Sequence, residues 1–385
     1  MTEPAACGEV KESACETWTP IAPALLGNVD RLPGAYGSPP LRGRLRVEPE
    51  DFAVEELLGF EPDGEGQHRL IHIQKWLLNT SEVADALAQV AGVARSAVGY
   101  GGRKDRRAVA RQWFSVDLAG REEPEWHSGL ATLLADRIRI LAVAPHRRKL
   151  RIGTLAGNRF HLHIRNVQGD RGAGEARWQQ IMACGVPNYF GPQRFGEGGS
   201  NVSRALAWFA GGRPPRHSQR DLLISAARSA FFNQLLAHRV MEQSWAVARI
   251  GDVLQLEGRG SWFVYRPDES ADEIAARIRG GELHPTGPLW GAGESPADGT
   301  VRALEHGLAK IYPELAAALA HVGLRQDRRA LRVFPRDGEF CWQDSGLMVS
   351  FTLPPGAFAT TVIKELLQPD CPDDAASSGH RVALD

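Results

Sequence analysis

Gly99-Tyr100-Gly101-Gly102-Arg103-Lys104-Asp105-Arg106-Arg107-Ala108-Val109 is the stretch on which the reading of this chain turns. A glycine-rich segment delivers a Lys–Asp pair, with more cations at Arg106, Arg107 and Arg111. A strand-like run, Gln112-Trp113-Phe114-Ser115-Val116, follows. Glycine admits positive φ and the close approach of a bulky ligand. Neighbouring cations favour a carboxylate in its ionised form, and an ionised carboxylate at a tight turn can be a nucleophile. Asp is also a common turn residue. This stretch alone leaves Asp105 between the two roles.

On its N-terminal side, Asn79-Thr80-Ser81 offers helix-capping chemistry. Val83, Ala84, Leu87, Val90 and Ala91 then recur at helical spacing until Gly92 ends the helix. Alternation of Leu70, Ile71 and Ile73 with Arg69, His72 and Gln74 predicts a strand over 68–76. The run Pro62-Asp63-Gly64-Glu65-Gly66 predicts a turn before it. Strand-like patterning reaches back to about residue 41. Residues 1–40, rich in Pro, Gly, Ala and Glu, read as an extension that is disordered or loosely docked.

On the C-terminal side, strands are expected over 112–118 and 138–143. Residues 145–165 carry Arg147, Arg148, Lys149, Arg151, Arg159 and Arg165 without one acidic residue. Apolar residues between them place this run on strands. A cationic run is commonly a solvated face; one without carboxylates reads as a surface for an anion, nucleic acid being the commonest. From 185 the pattern turns mainly helical, with helices over 205–209, 222–239 and 304–319. Strands return at 331–334 and 347–353, and a helix at 358–367. Strand-rich segments on both sides of a helical block imply one discontinuous domain carrying an insertion.

The 385 residues, 43% hydrophobic and 24% charged, suit two globular domains. A net charge of −1 names no partner by itself. Five widely spaced cysteines without a CxxC pair argue against a disulfide framework or a zinc site and for a reducing compartment. Neither a signal peptide nor a membrane span is expected. A phosphate-binding P-loop, a GxSxG elbow and an HExxH motif are all missing. His161 and His163 share a strand face, but without a third ligand they read as polar partners.

Set side by side, six stretches resemble the TruD family of tRNA pseudouridine synthases. They are Gly102-Arg103-Lys104-Asp105-Arg106-Arg107-Ala108-Val109 with Gln112-Trp113, Pro49-Glu50-Asp51-Phe52, Gly157-Asn158-Arg159-Phe160, 186–196 (VPNYFGPQRFG), 225–233 (SAARSAFFN) and Pro355-Gly356-Ala357-Phe358-Ala359-Thr360. The resemblance runs in order from about 41 to 367. It implies an isomerase that detaches uracil at N1, rotates it and rejoins it through C5, with the uridine at position 13 of tRNA as target and no cofactor or metal. Asp105 would be the nucleophile, attacking ribose C1′ or uracil C6. Lys104 and Arg46 are candidate cations beside it, Arg46 reading equally as a solvated strand residue. Phe160 matches the family's stacking position and Asn158 a substrate contact; Phe52 and Phe358 match aromatic positions near its site, though each Phe reads also as core. A flipped base needs such an aromatic face.

The expectation is therefore an α+β protein. Its catalytic domain, 41–184 plus 328–370, should be a pseudouridine-synthase-like mixed, mostly antiparallel sheet flanked by helices. A family-specific α/β domain is inserted at 185–327, and a tail follows at 371–385. The protein is expected as a cytoplasmic monomer with tRNA as partner and no protein partner implied. A non-catalytic RNA-binding protein on the same scaffold is the alternative; a nucleoside hydrolase or glycosylase is a third reading.

Overall fold

Short apolar runs cut by glycine and proline form strands here, and the amphipathic segment before the glycine-rich stretch forms a helix. The computed structural model describes residues 21–106 and 108–369. They divide into two compact units. One comprises 40–175, 336–356 and 367–369; the other comprises 21–39, 176–335 and 357–366.

The first unit is built on a ten-stranded sheet. In chain order its elements are β1 (Leu41–Leu45), β2 (Phe52–Leu58), β3 (His68–Lys75), α1 (Thr80–Ala91), β4 (Val98–Tyr100), β5 (Val109–Asp117), α2 (Trp126–Leu134), β6 (Ile138–His146), β7 (Leu155–Gly169), β8 (Arg336–Gln343), β9 (Gly346–Leu353) and β10 (Leu367–Pro369). The strand order is β8-β9-β7-β2-β5-β3-β6, with β4 beside β5. β1 lies along the far end of β7 and pairs β10. β2/β5 and β1/β10 are parallel and the other ladders antiparallel. This is the mixed, mostly antiparallel α+β architecture expected.

Period-two alternation puts Ile71, Ile73, Phe114 and Val116 on one face, where α1 and α2 cover them with Val83, Leu87, Trp126 and Leu130. The capping signal at the start of α1 is realised: the Asn79 N–H donates to the Glu82 carboxylate at 2.7 Å. Gly92 closes the helix at φ 61°. Two glycines of the central stretch are required by packing. A Cβ on Gly99 would sit 2.4 Å from the Leu150 carbonyl, and one on Gly101 would sit 2.5 Å from Leu155. Gly99 and Gly101 thus admit neighbouring chain to the backbone, whereas at Gly102 the nearest atom to such a Cβ is Lys104 Nζ, 4.0 Å away.

The second unit combines helices Ser200–Phe209, His217–Met241, Ala271–Arg279, Gly299–Ile311, Pro313–His321 and Ala359–Leu366 with an antiparallel four-stranded sheet ordered Trp262–Val264, Val253–Leu256, Leu283–Leu289, Asp327–Ala330. The single helix expected over 304–319 breaks before Pro313, which has no N–H to continue it. Residues 176–184 and 328–335, expected in the catalytic domain, belong to this second unit, and two further departures concern boundaries. Leu26 and Leu32, placed in a disordered extension, are buried in this unit's core. Helix Ala359–Leu366, placed in the catalytic domain, belongs to the second unit. Its Glu365 carboxylate accepts from the Ala35 and Tyr36 N–H groups, and Lys364 Nζ donates to the Val29 and Leu32 carbonyls. Residues 1–20 and the expected tail from 371 lie outside the described residues. Among the described residues, no helix is long and apolar enough to cross a membrane.

Candidate active site

Asp105 lies on the loop between β4 and β5, in neither helix nor strand. Its Oδ2 is 3.1 Å from Arg46 Nη1. Arg46 follows β1 with φ 63°, a left-handed conformation that costs a non-glycine residue on the order of 1 kcal/mol. That turn sends the guanidinium over the Phe52 ring, 4.1 Å from its centroid. Arg46 Nη2 is buried and has no hydrogen-bond partner among the described residues. The sequence left Arg46 between solvent and site; the geometry places it against the Asp105 carboxylate.

Beside this pair lies an aromatic cluster. β7 runs between β2 and β9, and the pairing sets Phe160 opposite Val54 on one side and Phe351 on the other. The Phe160 ring meets Phe52 edge-on at 6.2 Å and Phe351 at 5.7 Å. Phe160 is 8% exposed and Phe351 fully buried. Phe351 had been read only as a strand residue. Phe358 lies in the second unit, its ring edge-on to Phe190 at 6.0 Å.

Lys104 does not turn toward solvent. Its Nζ is 2.7 Å from Glu56 Oε1 and donates to Asn158 Oδ1 at 2.8 Å. Burial pushes the Glu56 carboxyl up, against the pull of Lys104 and of hydrogen bonds from the Trp113 N–H and Gln112. Sequence reading missed Glu56. The signal was present in the alternation Phe52, Val54, Glu56, which puts a charge on the inward face of β2. Asn158, expected to touch substrate, is thus tied to the base of the Asp105 loop.

Tertiary structure brings carboxylates to half of the basic stretch. Arg147 pairs with Glu65, Arg159 with Glu339 at 3.2 Å, and Arg165 with buried Asp51 at 2.8 Å. Burial works against the Asp51 carboxylate, but Arg165 and the Glu48 N–H hold it below its ordinary value. Lys149 donates to the Ser96 carbonyl. Arg148 and Arg151 are exposed and have no ion pair among the described residues. His163 faces Asp51 at 3.3 Å and Ser345, the polar role foreseen for it. Among the described residues no cluster of His, Cys, Asp and Glu is arranged to hold a metal ion. Arg107 lies outside the described residues. In the second unit, Asn233 brackets the Phe190 peptide through both amide atoms, and Arg228 donates to the Leu289 and Arg325 carbonyls.

The fold matches a solved structure from Methanosarcina mazei named for tRNA pseudouridine synthase D, with a TM-score of 0.65 at 20% identity, covering 87% of this chain and 95% of that one. The profile of the tRNA pseudouridine synthase D (TruD) family matches residues 34–204 and 215–366. Curated proteins named tRNA pseudouridine synthase D are 45% identical over 346 residues in Methylococcus capsulatus and 44% identical over 340 residues in Nitrosococcus oceani. These matches cover 89% and 87% of this chain and 95% and 93% of those proteins. The chain belongs to the tRNA pseudouridine synthase D family.

Proposed function

We propose that this chain isomerises uridine to pseudouridine in tRNA, with position 13 as the target and Asp105 as the nucleophile. Isomerase activity follows from family membership. The observation that carries the residue assignment is the Arg46–Asp105 pair at 3.1 Å, beside the Phe52–Phe160 cluster. Arg46 holds the carboxylate in one orientation, and its unpartnered Nη2 is a donor for the substrate. Attack at C1′ and addition at C6 make the same demand: an oriented carboxylate next to an extruded base. The N1–C1′ bond then breaks, uracil turns, C5 bonds to C1′, the bond to the Asp105 carboxylate is released, the C5 proton leaves and N1 takes up a proton. Flipping exposes a π face that Phe160 is suited to receive. Phe52 supports both Phe160 and Arg46. Asn158 and Lys104 serve the site through the loop. The enzyme works as a cytoplasmic monomer.

Asp105→Asn tests the assignment. It keeps shape and turn chemistry but replaces a nucleophile with a neutral amide. The variant should fold, bind a tRNA transcript and release no tritium from C5-labelled uridine. Substantial release would move the nucleophile elsewhere. A non-catalytic RNA-binding protein would release none even as wild type, and a glycosylase would yield free uracil.

A further inference from the structure

The Asp105 loop is gripped from beneath by polar side chains that the proposed chemistry does not consume. Lys75, at the end of β3, is fully buried. Its Nζ donates to the Leu78 carbonyl at 2.7 Å and to the backbone carbonyl of Asp105 at 3.3 Å. Thr80, the first residue of α1, accepts the Lys104 N–H on Oγ1 at 3.0 Å and donates the hydroxyl to Gln112 Oε1 at 3.0 Å. Gln112 Nε2 donates to the Gly102 carbonyl at 2.8 Å. Three side chains from β3, α1 and β5 thus hold three peptide groups of one loop: Gly102 C=O, Lys104 N–H and Asp105 C=O. Glu56 closes the circuit, bonded to Lys104 Nζ, the Trp113 N–H and Gln112.

Such a network is a poor way to fill a core. Burying a charge is costly even when it is paired, and well-packed apolar residues of like volume often do as well or better. Burial pushes Lys75 down to about 8 despite the attraction of Asp105. What the network supplies is direction. Bound carbonyls and a bound N–H fix the torsions of 102–105, and with them the line along which the Asp105 side chain leaves the backbone.

We propose that Lys75, Thr80 and Gln112 are positioning residues for the isomerisation, fixing the backbone that carries Asp105 so that its carboxylate is pre-aimed before the base arrives. The proposal rests on the reading of Asp105 as nucleophile. A displacement of about 1 Å at a reacting group can slow a reaction on the order of a hundredfold.

The experiment compares wild type with Lys75→Met, Thr80→Val and Thr80→Ser. Met is close to Lys in length but donates nothing; Val is isosteric with Thr but cannot accept; Ser retains the hydroxyl. Pseudouridine formation is followed in single turnover at saturating tRNA transcript, with tRNA affinity and melting measured alongside. The Met and Val variants should lose roughly tenfold to a hundredfold in rate while tRNA affinity stays within about twofold. Thr80→Ser should recover most of the rate, a rescue that simple core filling does not predict because Ser packs worse than Val. Wild-type rates in Met and Val, or a Ser variant as slow as Val, would overturn the proposal. Should Lys75→Met not fold, the Thr80 pair decides alone. An inactive wild type would overturn the functional reading and this proposal with it; an active wild type with unaffected variants overturns this proposal only.

Discussion

At Phe160 the packing that the fold shows and the stacking role we propose fall on one side chain. Its ring is nearly buried between Phe52 and Phe351, which is the core reading; the stacking role is the part that substitution has to test. Substitution separates them. Phe160→Leu keeps apolar bulk but removes the π face, and base–aromatic stacking is worth on the order of 1–3 kcal/mol. Its kcat/KM should fall roughly tenfold to a hundredfold while the melting temperature drops only a few degrees. Phe351→Leu, one strand further on and fully buried, should destabilise by a similar amount and leave kcat/KM close to wild type. Equal kinetics in the two variants would make Phe160 a core residue only. Both measurements are needed, because activity alone confuses loss of fold with loss of a contact.

At the scale of the element, the segment between β6 and β7 is the most informative. Its sequence is strongly cationic, yet its charges divide in the fold between paired and unpaired groups. Gly153 N–H donates to the Gly101 carbonyl at 3.3 Å, which anchors the segment beside the glycine-rich stretch. Arg148 and Arg151 remain exposed there. Replacing both with Gln should flatten the dependence of log K for tRNA on log salt by about 1–2 units, the loss of about two phosphate contacts. Arg159→Gln, whose guanidinium already faces Glu339, should change the slope by about half a unit or less. Titrations of tRNA across a salt series measure both. An unchanged slope in the double variant would make the segment a solvated face. Sequence displayed the charge of this segment and of β7 after it but not their pairing, because Glu65 meets Arg147, and Glu339 and Asp51 meet Arg159 and Arg165 on β7, only through turns and strands remote in the chain.

For the whole molecule, the buried network beneath Asp105 carries a stability signature. Lys75 is pushed by burial from 10.5 down to about 8, with Asp105, Lys104, Glu56 and Glu82 the charged groups around it. Between those values the unfolded chain holds a proton that the folded protein has released, so stability rises with pH across the window. Below about 8 both states are protonated and the cost is present in full. Wild type should therefore gain stability relative to Lys75→Met as pH rises from about 8 toward 10.5. Urea midpoints of the two proteins at several pH values measure it; parallel curves would show that Lys75 titrates as it does in water. Local signals settled much of this fold in advance. The cap at Asn79, the stop at Gly92 and the alternation around Ile71 each act within a few residues, where dihedral preference and hydrophobic period decide the outcome. The ordered motifs identified the family. Other features depended on which remote segments meet. Arg46 rather than Lys104 lies against Asp105 because β1 ends in a left-handed turn and Glu56 draws Lys104 inward. Lys75, Thr80 and Gln112 sit in an ordinary strand, cap and strand, and nothing in their neighbours marks them. They become a cradle only when β3, α1 and β5 bring their polar ends under one loop, and hydrogen-bond partners across such distances are set by packing, not by spacing in the chain.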